Sequence, residues 1–179
     1  MKKIMFNDKY RLTQAVLEGR KTQTRRILLP HTVRELRNGN DYQGVIRLYS
    51  KYKVGEVVAV AQRYKDIALD VPVELAAELI KQPWWTNKMF TKADILTHHI
   101  RITKIRIERL QDISEEDCLA EGIVDFESRI NKAHFYSITD ESATYGTAKK
   151  PYSLLIDKIA GKGTWASNPY VFVYEFELI

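Results

Sequence analysis

The stretch Tyr170-Val171-Phe172-Val173-Tyr174-Glu175-Phe176-Glu177-Leu178 decides the fold. Tyr170, Phe172, Tyr174, Phe176 and Leu178 share one face of an extended chain, and Val171, Val173, Glu175 and Glu177 share the other. Such alternation is the mark of a strand. A second strand is read over residues 99–110, where isoleucines stand at 100, 102, 105 and 107. The step from 102 to 105 breaks the period of two and predicts a bulge near Thr103-Lys104. Val57-Val58-Ala59-Val60-Ala61, entered through the turn Val54-Gly55-Glu56, is a continuous apolar run suited to a buried strand. Residues 22–28, β-branched at Thr22, Thr24 and Ile27, read as a further strand. Residues 45–49 read as a short one.

Helices are expected around these strands. Asn7-Asp8 can cap one over residues 9–18, and Gly19 stands where a positive φ would stop it. Pro72 leads into a helix over 73–81. Ser114-Glu115-Glu116-Asp117 resembles a capping box and opens a helix that ends at Gly122. Pro151 begins another near 151–160. Residues 30–44, with Pro30, Asn38-Gly39-Asn40 and Gly44, read as loop. Residues 83–87 read as an aromatic turn and 161–169 as a glycine-bearing loop. Residues 125–150 are polar and read as an insertion or mobile loop. Strands outweigh helices and do not alternate with them, which predicts an α+β fold: a small, mostly antiparallel β-barrel with peripheral helices.

The chain has 179 residues, enough at about 150 per domain for one domain. Lys and Arg number 28 against 23 Asp and Glu, a net charge of +5 that permits an anionic partner without demanding one. Cys118 is the sole cysteine, which excludes an internal disulfide and a cysteine-based zinc cluster. No apolar run approaches the ~18 residues that span a bilayer, so no membrane partner is expected. Met1-Lys2-Lys3-Ile4 is basic but lacks the apolar core of a signal peptide, and a cytoplasmic protein is expected.

The chemistry is concentrated in Glu18-Gly19-Arg20-Lys21-Thr22-Gln23-Thr24-Arg25-Arg26. Cations and hydroxyls just past a helix end can cradle an anion or a nucleic-acid backbone. They can equally form a solvated basic strand edge that discourages edge-to-edge pairing. Gly19-x-Lys21-x-x-Thr24-x-Arg26 is similar to the signature of the ASCH domain family, whose fold is PUA-like. Val54-Gly55-Glu56-Val57 resembles that family's next landmark. The ending Asn168-Pro169-Tyr170 through Glu177 resembles the longer ASCH-like proteins of phages and prophages. Residues 64–98 and 125–150 have no counterpart in the smallest members and would be insertions in a single domain, 1–179. The resemblance implies a cleft that binds RNA or a modified nucleoside, lined here by Lys21, Thr24, Arg26 and Glu121. Some small bacterial members hydrolyse the amide of acetylated cytidine with a Thr, a Lys and a Glu. Carried over, these are Thr24, Lys21 and Glu121, with Glu115 as the alternative carboxylate. The alternative function is thus an amidohydrolase acting on N4-acylated cytidine-type nucleosides.

A threonine hydroxyl needs a base beside it, and a lysine serves only when burial or another cation lowers its pKa. Arg20, Arg25 and Arg26 are close enough in sequence to contribute. A glutamate can orient the lysine or carry a proton to the leaving amine. In an ideal strand Lys21 faces away from Thr24, so it must sit in the turn after Gly19 and swing round. Ligand contacts are expected from Gly19, Arg20, Arg25 and Arg26, with stacking from Trp84 and Trp165. Other rings, Tyr64, Trp85 and Phe90, suit a core at the barrel end. His98 and His99 point to opposite faces of a strand, and His31 and His134 lie in loops, so neither a metal nor any other cofactor is expected. Cys118 reads as a small buried apolar residue, and Glu115-Glu116-Asp117 as acids favoured at a helix start.

Overall fold

The computed structural model describes residues 1–128, 130–140 and 142–179. In chain order they form β1 (Lys3–Ile4), α1 (Leu12–Leu17), β2 (Gln23–Ile27), α2 (Pro30–Arg37), α3 (Tyr42–Tyr49) and β3 (Val57–Val60). Then come α4 (Tyr64–Ile67), α5 (Val73–Leu79), β4 (His99–Arg109), α6 (Glu115–Ala120), β5 (Val124–Glu127) and β6 (His134–Ser137). The described chain closes with α7 (Lys149–Ala160), α8 (Thr164–Ser167) and β7 (Tyr170–Leu178). The fold is α+β, as the sequence predicts.

One mixed sheet has the order β1-β3-β4-β7-β2, and β5 and β6 form a separate hairpin. β1 runs parallel to β3, and every other pair in the large sheet is antiparallel. The long β4–β7 pair is its spine. Its register shifts between Ile102 and Lys104, at the break in the isoleucine period. The bulge lets both Ile102 and Ile105 stay buried. Cross-strand pairs then sort the side chains. Thr24, Tyr174 and Ile105 lie opposite one another, as do Arg26, Phe172 and Ile107, on the aromatic face. Arg25, Val173 and Arg106 align on the other face, beside Gln23, Glu175 and Glu108. Val171, Phe172, Val173 and Tyr174 are all buried, so β7 is covered on both sides.

β1 and β2 are the edges of this pairing order. Arg26 Nη2 nevertheless donates to the Met5 carbonyl, just past β1, at 2.6 Å. The sheet is therefore curled until one arginine side chain spans the gap between its edges. Residues 64–98 build a small second core of Ala59, Tyr64, Ile67, Leu79 and Leu96. No helix among the described residues is long and apolar enough to cross a membrane.

Several expected boundaries change. Residues 30–49 are not a loop followed by a strand but two helices, α2 and α3. Pro30 is the first residue of α2, Gly39 takes φ +88 just past its end, and Asp41 caps α3 by accepting from the Gly44 amide. The turn-forming residues are thus helix starts and stops. The helix expected at 9–18 is split: Asp8–Tyr10 is a 3-10 turn, and Arg11 at φ 54 separates it from α1. Within 125–150 lie most of the β5–β6 hairpin and a bridge between Tyr136 and Tyr145, while Arg129 and Glu141 fall outside the described residues. The 161–169 loop contains the single turn α8.

Ile102 is fully buried in β4, whereas Leu69 is 99% exposed. Ile102→Ala should lower the unfolding free energy by about 2–5 kcal/mol. Leu69→Ala should change it by less than about 0.5 kcal/mol. Urea titration of both variants checks the pair, and equal effects would contradict this core.

Candidate functional site

Lys21 stands outside the ladder of β2, in the turn that Gly19 makes at φ +73. Its amide donates to the Ala15 carbonyl at 2.9 Å, and the Thr22 amide to the Ala120 carbonyl at 2.8 Å. These two bonds pin the turn between the ends of α1 and α6. Gly122, at φ +103, closes α6 where a Cβ would lie 3.3 Å from Leu12 Cδ2 and 3.6 Å from Lys21 Cβ. The helix ends approach closely because that Cβ is missing. Glu121 is thereby set against Lys21.

The Lys21 ammonium donates to Glu121 Oε2 at 2.5 Å, and to the carbonyls of Glu121 and Gln23 at 2.7 Å each. The two side chains are 1% and 7% exposed. Burial pushes the Lys21 pKa below its ordinary value; Glu121 opposes the shift, and the charges of Arg26 and Arg25 add to it. The swing that the sequence demands of Lys21 is thus present, directed at the carboxylate.

Arg25 lies beside this pair, and its side chain is 1% exposed. It donates to Glu121 Oε1 at 3.1 Å, Glu108 Oε1 at 2.9 Å and Asp117 Oδ2 at 2.6 Å. Arg106 reaches Glu108 and Asp117 as well, and pairs with Glu175. Gln23 Nε2 donates to Asp117 Oδ1 at 2.8 Å. Burial raises the Asp117 pKa, but hydrogen bonds from Gln23 and Arg25 and the charges of Arg25 and Arg106 outweigh it and hold it low. Buried charges require this degree of pairing.

A cavity of about 430 Å³ opens against the pair. Lys21, Thr24, Arg25, Arg26 and Glu121 line its polar side; Leu155, Ile156 and Ile159 of α7 line its apolar side, with Phe6 and Tyr152. Thr24 is 5% exposed, and its hydroxyl has no hydrogen-bond partner among the described residues. The Tyr152 hydroxyl is buried and likewise unpartnered. Lys21 makes no hydrogen bond to Thr24, because its bonds run to Gln23 and Glu121. Lys88 lines the cavity too, bonded to Asp8, Thr13 and the Phe6 carbonyl.

The structure thus brings Lys21, Thr24, Arg25, Arg26 and Glu121 together. Gly19 shapes the turn but does not line the cavity, and Arg20 is exposed and paired with Glu18 at 2.8 Å. Trp84 lines a separate cavity of about 250 Å³ with Phe90. Trp165 packs edge-on against Tyr152 at 6.1 Å, outside the lining residues. Glu115 accepts from the Ala148 and Lys149 amides at the start of α7 and does not line the cavity, whereas Glu121 and Asp8 do. Burial pushes the Cys118 thiol up to about 12, and it is no nucleophile at neutral pH. Among the described residues no cluster of His, Cys, Asp and Glu could hold a metal ion. Sequence reasoning missed Arg106, Glu108 and Tyr152. The alternation of Lys104, Arg106 and Glu108 on one face of β4 was the available signal for the first two.

No family model matches the chain, and neither does any curated protein or solved structure. The site is therefore read from its own geometry.

Glu121→Gln leaves Lys21 and Arg25 short of charge compensation and should cost about 3–5 kcal/mol of stability. The pH dependence has a defined sign. The folded Lys21 pKa lies below the ordinary value of 10.5, so between the two values the unfolded chain binds the extra proton. Stability should rise with pH through that alkaline window. Lys21→Met should flatten the rise relative to the parent in urea titrations, and identical pH slopes for the two proteins would refute the assignment.

Proposed function

We propose that this cavity binds a nucleoside, free or as one unit of an RNA, with Lys21, Thr24, Arg26 and Glu121 at its polar side. The carrying observation is the unpartnered hydroxyl of Thr24 beside the Lys21–Glu121 pair, in a cavity that aliphatic side chains of α7 also line. A nucleobase suits that environment: an apolar face for α7, and a hydrogen-bonding edge for the Thr24 hydroxyl and the Lys21–Glu121 pair. The volume of 430 Å³ falls within the range of about 300–1,000 Å³ for small-molecule sites. The curled sheet, its edges bridged by Arg26, supports reading the fold as a PUA-like small barrel. The ASCH-like segment Gly19–Arg26 points the same way. A single buried thiol suits a reducing, cytoplasmic setting.

A second reading is amide hydrolysis of an N4-acylated cytidine. A lysine of lowered pKa, a free threonine hydroxyl and a carboxylate border one cavity, which favours it. Lys21 would first pass a proton to Glu121, then accept the proton of Thr24 as Oγ1 attacks the acyl carbon. The C–N bond breaks, the proton goes to the leaving amine, and water hydrolyses the acyl-threonine ester. Lys21 must break a present hydrogen bond and turn toward Thr24 to do this. Binding requires no such rearrangement and stands first.

Calorimetric titration with cytidine and N4-acetylcytidine tests the site. The parent should bind at least one of them, and Thr24→Val should weaken binding by about tenfold, the value of one lost hydrogen bond. Absence of binding by the parent, to either nucleoside and to short RNA, would end this reading. In the same incubations, release of acetate by the parent and not by Thr24→Ala would place the hydrolase reading first.

A further inference from the structure

A second cavity of about 280 Å³ lies on the other flank of Arg26. Arg26 and Met5 line both cavities, so the arginine bridge to the Met5 carbonyl is a shared wall. The new cavity has a different character. Its rings include Tyr49, which meets His31 at 5.5 Å, and Tyr52, which meets Tyr174 edge-on at 5.2 Å. Lys51 Nζ stands 5.4 Å from the Tyr52 ring centre. Among the described residues no carboxylate lines the cavity. Neither Lys51 nor Arg26 has a carboxylate partner among the described residues, in a chain where Lys21, Arg25 and Arg106 are each paired. Around the mouth, Ile27 and Leu29 are 44% and 62% exposed.

Of the tyrosine rings of this cavity Tyr49 is the exposed one, while Tyr52 is buried beneath Lys51. An exposed ring next to uncompensated cations suits a base and its phosphate. Arg26 spends one nitrogen on Met5 and keeps further N–H groups for an anion. We infer that the second cavity is an adjoining nucleotide subsite, so that the ligand is a single-stranded RNA whose successive nucleotides occupy the two cavities with their linking phosphate on Arg26. The inference rests on the nucleoside reading of the first cavity and deepens it. A free nucleoside can fill only one of the two cavities, whereas a strand fills both.

The test compares cytidine with a cytidine tetranucleotide by calorimetry at low salt, on the parent and on a Tyr49→Ala/Lys51→Gln variant. Both substituted residues lie outside the first cavity. The tetranucleotide should bind the parent at least about tenfold more tightly than cytidine, the scale of one stacked base. That advantage should shrink as salt rises. The variant should lose the advantage while keeping its affinity for cytidine. A tetranucleotide that binds the parent no better than cytidine, or an advantage that survives in the variant, overturns the second subsite and leaves the nucleoside reading standing. Binding of neither probe overturns both.

Discussion

An ammonium removed from water must find a charge and acceptors for its protons, and the interior of this protein is arranged around that need at Lys21. Glu121 and two backbone carbonyls answer it. To bring them together, α1 must end at Gly19, α6 must end at Gly122, and the two ends must pack without an intervening Cβ. An apolar pair of similar size would fill the same volume without the desolvation cost of two ions. Stability alone therefore gives no reason for charges here. The pair lines the cavity of about 430 Å³.

The alternation of β2 turns one strand into two kinds of surface. Arg25 goes to the face where α6 supplies Asp117 and Glu121, and it is consumed there by carboxylates. Thr24 and Arg26 go to the aromatic face, where no carboxylate among the described residues pairs with either. A slip of one residue would exchange these roles, leaving Arg25 over the rings and Thr24 among the acids. The bulge in β4 keeps the same division on the other side of β7. It sets Ile105 opposite Tyr174 and Arg106 opposite Val173, so that the acid-rich face and the aromatic face each continue across three strands.

Much of this was legible in the sequence where the signal was local. The isoleucine spacing placed the bulge, the alternation in residues 170–178 placed β7, and Ser114 caps α6 as expected, accepting from the Asp117 amide at 3.0 Å. Lys21 and Thr24, picked out by a motif, and Glu121, placed by aligning the start of α6 with the family's helix, border one cavity. The alternation in β7 did not show that its valine face is buried too, because that depends on what covers the sheet. Pro30 and Asn38-Gly39-Asn40 misled because the same residues bound helices and build loops. The alternation of Lys104, Arg106 and Glu108 marks a charged face of β4, but the partners of that face include Asp117 and Glu175, on elements it does not name. Trp84 and Trp165 stand out in the sequence for their rings, and ring type says nothing about distance from the site.

The short helix α6 ties the start of α7 to the buried charges beside β2. Near its start, Glu115 accepts from the first amides of α7 and so fixes where that helix begins. At its end, Glu121 takes the charge of Lys21 and one nitrogen of Arg25. Six residues separate the two glutamates, about 9 Å at 1.5 Å per residue. Tyr152, in the first turns of α7, is carried in to the cavity with its hydroxyl unmatched. Packing alone would favour a phenylalanine there, since an unmatched buried hydroxyl costs free energy that a ring hydrogen does not.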